Sequence, residues 1–303
     1  MTSSIAQAGN ISHESEGELD VAAMRVALQE KCTNELKLSE DETEVRMGLF
    51  DQLTEFEFGR FLLQHKGING YWTAYMILNG PTKPGLSELE NWMLNKAPTV
   101  LATQERFRIF QRETQKRLKP RMIIASVPCG TMDDLLRLDY SSAPGCALVG
   151  IDVDTGSTEL AKNNALSLDI ENVSFETKDA FAMGDKNRFD ILSSNGLNIY
   201  EHDDERQLLL YKGFHTALKP GGVLVTSFLT PPPMMTSEKS PWEGFVPADA
   251  MKQKIVFADV IGAKWQVFKT EDQIRAQLVK AGFSKIEIIY DRQKMFPTVI
   301  ATK

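Results

Sequence analysis

Residues 121–134, RMIIASVPCGTMDD, run from an apolar segment through a single glycine into two acids. An apolar run without polar alternation reads as a strand covered on both faces. Gly130 lets the backbone turn tightly, and the helix that begins near Asp133 and Asp134 offers unpaired N–H groups. The pattern then repeats. ALVGIDVD (147–154), NVSFETKDA (172–180), FDILSSNG (189–196) and GVLVTSFL (222–229) read as further strands. Helical stretches of about 12–16 residues separate them, as strand–helix alternation requires. LKPGG (218–222) reads as a helix stop and tight turn before the fifth strand. A helix boxed by Thr270 and Gln273 leads to KIEIIYD (285–291) and FPTVIAT (296–302). The short link between these two makes them antiparallel. Strand alternating with helix predicts an α/β domain over 120–303, its parallel sheet covered on both faces.

Upstream of Arg121 the texture is helical. Val21, Met24 and Leu28 recur at helical spacing, and Val45, Leu49, Phe56 and Leu63 form a second stripe. Ser87 and Glu90 cap SELENWMLN, and TVLATQERFRIFQRETQKRL is a long helix that stops at Pro120. Residues 19–119 are expected to be an all-helical substrate or lid domain. Residues 1–18 are rich in Ser, Glu and Gly and are expected to be a disordered tail. The proline-rich stretch 229–269 is too long for a plain connection and reads as a functional insertion.

The chain has 303 residues, 42% of them hydrophobic and 25% charged, with a net charge of −7. That excludes a disordered chain, a fibre and a generally basic nucleic-acid coat. No apolar run approaches the ~20 residues that cross a bilayer, and residues 1–20 carry no basic or apolar leader. The three scattered cysteines, Cys32, Cys129 and Cys146, argue against a disulfide framework and for a reducing, cytoplasmic compartment. The histidines are too dispersed to propose a metal site.

Ligands of an open parallel sheet bind at the carboxyl ends of its strands. The second strand ends at Asp152, about twenty residues beyond the first turn, where a carboxylate accepts both ribose hydroxyls. Its alternative is a helix cap or solvated acid, with Asp154 the better cap. Asp179 and Ala180 end the third strand, where they can meet an adenine amino group. Ser194, Asn195 and Gly196 end the fourth, where they can line a reacting centre.

The PCGT turn, Asp152, Asp179, FDILSSNGLNIYEHDDER (189–206) and LKPGG occur in the order found in the class I S-adenosylmethionine-dependent methyltransferases, which the chain resembles from about Met122 to Phe228. The resemblance implies a doubly wound, seven-stranded, mostly parallel sheet with an antiparallel last strand. It implies S-adenosylmethionine as cofactor. Ser126, Pro128 and Gly130 fall on the family's glycine-rich loop under the methionine part. Asp152 falls at the ribose, Val153 against the adenine, Asp179 and Ala180 at the adenine edge, and Asn195 and Gly196 near the sulfonium. The family usually has an acid where this chain has Ser126, a glycine at Pro128, and often a glycine at Met132. The missing acid normally helps fix the cofactor's amino group.

The expected reaction is direct methyl transfer to an oxygen or nitrogen of a small molecule. Tyr200 and His202 lie at the expected substrate edge as catalytic candidates. His202 is placed either as a general base or simply beside the cap at Asp203. Tyr71, Trp72, Tyr75, Trp242 and Phe245 build either an apolar pocket or interdomain core. One alternative is an RNA or protein methyltransferase using the basic helix 106–119, on which Arg108, Arg112 and Lys116 recur every four residues; the same cations also suit a solvated helix C-terminus. The other alternative, raised by Ser126 and Pro128, is an inactive cofactor-binding regulatory protein.

Overall fold

The computed structural model describes residues 20–233, 235, 240–263 and 266–303; the expected tail, 1–18, lies outside them. Among the described residues six α-helices precede the first strand: α1 (Val21–Glu30), α2 (Glu40–Thr54), α3 (Glu57–His65), α4 (Gly70–Ala74), α5 (Glu88–Asn95) and α6 (Pro98–Gln115). Local chemistry fixes their starts. Ser39 and Glu42 form a reciprocal capping box on α2, Asn69 accepts the Trp72 N–H on α4, and Ser87 accepts that of Glu90 on α5. Pro98 opens α6 at a position that needs no N–H. Phe50, Leu53, Phe58, Leu63, Met93 and Leu94 fill the core between these helices. Val256, Val260 and Ile261 of the insertion join the same core. There the Arg46 guanidinium grips Asp259, Nη2 to Oδ2 at 2.8 Å, with both side chains buried.

The sheet comprises β1 (Ile123–Ser126), β2 (Ala147–Asp152), β3 (Val173–Thr177), β4 (Phe189–Ser193), β5 (Leu218–Ser227), β6 (Ser284–Ile289) and β7 (Thr298–Thr302). Its order is β3-β2-β1-β4-β5-β7-β6. The first five strands are parallel, and β7 runs antiparallel to both β5 and β6. This is the expected doubly wound arrangement. The order reverses between β1 and β4, and the carboxyl edge at such a switch point is where sheets of this kind bind their ligands.

Two local expectations are corrected. Full crossover helices occur only as α8 (Thr155–Ser167) and α9 (Asp204–Ala217). Between β1 and β2 there is only α7 (Asp133–Leu136), and between β3 and β4 a single 3-10 turn, Ala180–Ala182. The segments DYSSAPG (139–145) and AMGDKN (182–187) hold the Ser, Pro, Gly and Asp residues that stop a helix. LKPGG is likewise no separate turn: Leu218 is buried and already pairs with Phe189, and Lys219–Gly222 bulge outward before Val223 pairs with Ile191. The remaining helices are α10 (Pro247–Gln253) in the insertion and α11 (Glu271–Ala281), which starts on the complete Thr270/Gln273 capping box.

Candidate functional site

At the switch point the β1 turn is tied to the end of β2. The Gly130 N–H donates to Asp152 Oδ2 at 2.9 Å, and the Asp154 N–H donates to Oδ1 at 3.0 Å. Asp154, not Asp152, caps α8, accepting from the Gly156 and Ser157 N–H groups. Asp152 is therefore free of helix duty and sits buried against the glycine turn. Burial raises its pKa, against the hydrogen bonds from Asp154 and Gly130. Val153 beside it exposes its side chain. At the end of β3, Asp179 is exposed and caps the 3-10 turn that carries buried Ala180.

The acid missing at Ser126 returns from the following helix. The Ser126 hydroxyl reaches the Asp134 carboxylate at 3.0 Å, and Ser193 on β4 reaches it at 2.7 Å. Burial pushes Asp134 up to about 6, against the lowering effect of the two serines. Met132 stands in the left-handed region, φ 58°, at a position where a glycine is the unstrained choice. Pro128 follows a cis peptide bond to Val127. Asp134 escaped the sequence reading as a site residue; its only signal was the Asp133-Asp134 pair opening α7.

At the end of β4 the Ser194 hydroxyl and the Asn195 side-chain oxygen are buried without a hydrogen-bond partner among the described residues, as is the Thr226 hydroxyl on β5. Gly196 turns the chain with φ 99°, and Asn198 then donates to the Ser227 carbonyl at 2.8 Å. Buried polar atoms are nearly always paired, so this group of orphans marks a place where a ligand completes the bonding. With Asp152 and Asp134 alongside, the residues present fit an adenosyl group carrying an amino acid. Tyr200 is half exposed and accepts from Gln266 at 3.1 Å; His202 is exposed beyond it.

Helices α4 and α6 of the helical layer contact this edge through α8, α7 and β5. A Cβ on Gly70 would meet the Gly130 Cα at 3.0 Å, so the start of α4 rests closely on the loop and a larger residue there would require a small shift. Tyr71 is exposed and meets Trp72 edge-on, while Trp72 stacks on Phe58 at 5.3 Å and belongs to the helical core. Trp242 donates to the Thr230 hydroxyl at 2.8 Å and packs in a cluster with Leu229, Ile199 and Phe296.

The basic helix divides into two faces. Arg108, Arg112 and Lys116 are exposed, but Arg112, Lys116 and Arg117 converge on Glu113. Burial raises Glu113, yet the hydrogen bonds from Lys116, Arg117 and Arg112 outweigh it and hold the carboxyl down at about 2. Arg106 points inward and is buried. It also escaped the sequence reading; its signal is a charge on the stripe that Thr103, Phe110 and Glu113 bury.

A methyltransferase-domain family model matches residues 94–272, more than half of the chain. A protein of Bordetella parapertussis described as a possible exported protein is 40% identical, over 94% of this chain and 95% of its own, with a TM-score of 0.88. The S-adenosylmethionine-dependent methyltransferase SibL, in its apo form, shares the fold at 14% identity, over 93% of this chain and 74% of its own, with a TM-score of 0.54. No curated protein matches the chain. Among the described residues no helix is long and apolar enough to cross a membrane. The strand order, the acids and glycines at its switch point and the matched domain lead to one conclusion: the chain belongs to the class I S-adenosylmethionine-dependent methyltransferases.

Proposed function

We propose that this enzyme methylates an oxygen or nitrogen of a small molecule held between α6, the Gly196 turn and the Trp242–Phe296 cluster. S-adenosylmethionine supplies an electrophilic methyl on its sulfonium. Asp152 holds the ribose, with Val153 against the adenine and Asp179 and Ala180 at its edge. Asp134, steadied by Ser126 and Ser193, takes the place of the family's acid toward the amino group. The Pro128–Gly130 turn carries the methionine part, and Asn195 and Gly196 set the reacting centre. Alignment in a water-poor site supplies much of the rate of such a displacement. Tyr200 and His202 stand at the mouth as candidates to take the acceptor's proton, and Tyr71 lines the entrance on the α4 side.

The observation that carries this reading is the orphaned set Ser194, Asn195 and Thr226 near the ends of β4 and β5. Small polar groups at the strand ends, with α4 resting against the adjoining loop, suit a compact acceptor better than a strand of RNA or a protein. The cations of α6 favour RNA less, because Glu113 draws three cationic side chains onto itself. The carboxylate restored by Asp134 supports a working enzyme over an inactive binder. Buried thiols at Cys32, Cys129 and Cys146 suit a cytoplasmic setting.

The test pairs calorimetry of S-adenosylhomocysteine with a methyl-transfer screen over hydroxyl and amine acceptors, and a salt series of RNA binding. Turnover on a small acceptor with no RNA binding at low salt is the expected result. RNA binding that weakens on Arg108→Ala and Arg112→Ala, with no small acceptor turned over, overturns it.

A further inference from the structure

Arg106 is a buried cation beside the end of β5 and the Gly196 turn. Its Nη1 lies 3.5 Å from the Ser227 hydroxyl, long for a hydrogen bond, and its Nε has no partner among the described residues. The guanidinium plane lies over the Phe296 ring at 4.7 Å. Nη1 also comes within 4.0 Å of where a Cβ on Gly196 would stand. Burial lowers the Arg106 pKa to about 10, partly offset by Tyr200 and Asp291. The Asp291 carboxylate makes no ion pair with it, being taken up by the N–H groups of Gln293, Met295 and Phe296 at 3.1, 3.2 and 2.7 Å. A guanidinium remains charged when buried, and a buried charge without a counter-ion costs stability unless a ligand completes it.

We propose that Arg106 binds a carboxylate of the methyl acceptor, so that the substrate is a small carboxylic acid methylated at a separate oxygen or nitrogen. This rests on the reading that the acceptor lies between α6 and the ends of β4 and β5. The cofactor residues occupy the ends of β1, β2 and β3, with Gly196 between them and Arg106. The guanidinium therefore faces the acceptor side. A planar fork with one free edge matches a carboxylate, and a monoanion balances a single positive charge where a dianionic phosphate would leave an excess. A carboxylate so held is a poor nucleophile, which directs the methyl to another atom of the acceptor. Phe296 and Trp242 supply an apolar flank for its body.

The test uses the full chain saturated with S-adenosylhomocysteine and two probes of one shape, benzoate and benzamide. Benzoate is expected to bind saturably in the millimolar range and raise Tm, with benzamide at least tenfold weaker. Arg106→Met should abolish that preference, hold S-adenosylhomocysteine affinity within twofold, and melt at or above wild type, because an unpaired buried charge is gone. Arg106→Lys, which keeps the charge but loses the fork, should retain a weakened preference and covers the case in which Arg106→Met does not fold. Equal binding of benzoate and benzamide, or a preference that survives Arg106→Met, overturns the proposal. A tenfold loss of S-adenosylhomocysteine with 5′-methylthioadenosine unaffected also overturns it, since the guanidinium would then serve the cofactor's own carboxylate. Failure of wild type to bind S-adenosylhomocysteine overturns the cofactor-site reading itself, and is read before any benzoate is added.

Discussion

The Ser126 hydroxyl stands 3.1 and 3.0 Å from the two carboxylate oxygens of Asp134, so an acid that β1 lacks is delivered to it from α7. Burial keeps this carboxyl at about 6, above the ordinary value near 3.8. The folded chain therefore binds more protons than the unfolded chain between about pH 4 and pH 6, and stability falls as pH rises through that window. Above it the whole penalty is present, on the order of 3 kcal/mol. Asp134→Asn keeps the shape and removes the charge. It is expected to melt several degrees higher than wild type at pH 7.5 and alike at pH 4, by calorimetry across the pH range. Parallel Tm curves for the two proteins would refute the assignment.

Asp152 is expected to dominate cofactor affinity. It accepts two backbone N–H bonds in the free protein and keeps lone pairs for the ribose. Charged hydrogen bonds contribute roughly 1.5–3 kcal/mol each, so Asp152→Ala should weaken S-adenosylhomocysteine by about tenfold or more in calorimetry. Asp179→Ala removes an exposed carboxylate occupied by its own 3-10 turn and should cost only a few-fold. The reverse ranking would displace the ribose site from β2.

The contact between Gly70 and Gly130 makes a steric prediction. Gly70→Ala brings the added carbon to 3.0 Å from the Gly130 Cα, so α4 or the loop must give by a few tenths of an ångström. Cofactor affinity and Tm should both fall. Gly48, exposed in the middle of α2 with open space around it, is the control. Gly48→Ala should raise stability by about 0.5–1 kcal/mol through helix propensity alone and leave affinity unchanged.

Much of the architecture was legible because the central strands are buried on both faces, leaving runs such as ALVGID without polar interruption. The role of Asp152 was legible because its place at the end of β2 follows from the topology. Asp134 was hidden because its partners Ser126 and Ser193 come from strands that meet only in the folded sheet. Arg106 was hidden because a cation on a helix reads as solvated until the helix's neighbours are known. Trp72, which the sequence left between pocket and interdomain core, stacks on Phe58 because α3 presents that ring to it. The four residues that bulge out of β5 were read as a turn because Lys-Pro-Gly-Gly has turn chemistry whether or not the strand has begun.

The buried pair Arg46–Asp259 should respond asymmetrically to substitution. Removing one partner leaves the other charge buried, at a cost of about 3–5 kcal/mol, whereas replacing both by apolar groups costs much less. Denaturant melts of Arg46→Met, Asp259→Leu and the double variant should show the double to be more stable than either single. Singles within about 0.5 kcal/mol of wild type would mean the pair is open to water.

That pair, with Val256, Val260 and Ile261 beside it, also sets an order of events during synthesis. Chain emerging from a ribosome delivers α1 to α6 long before the segment that completes their core. Until Ile261 has cleared the exit tunnel, the early helices must wait with part of their apolar surface uncovered, open to chaperones. Strands β1 to β5 are synthesised during that interval, so most of the sheet exists before the helical core is complete.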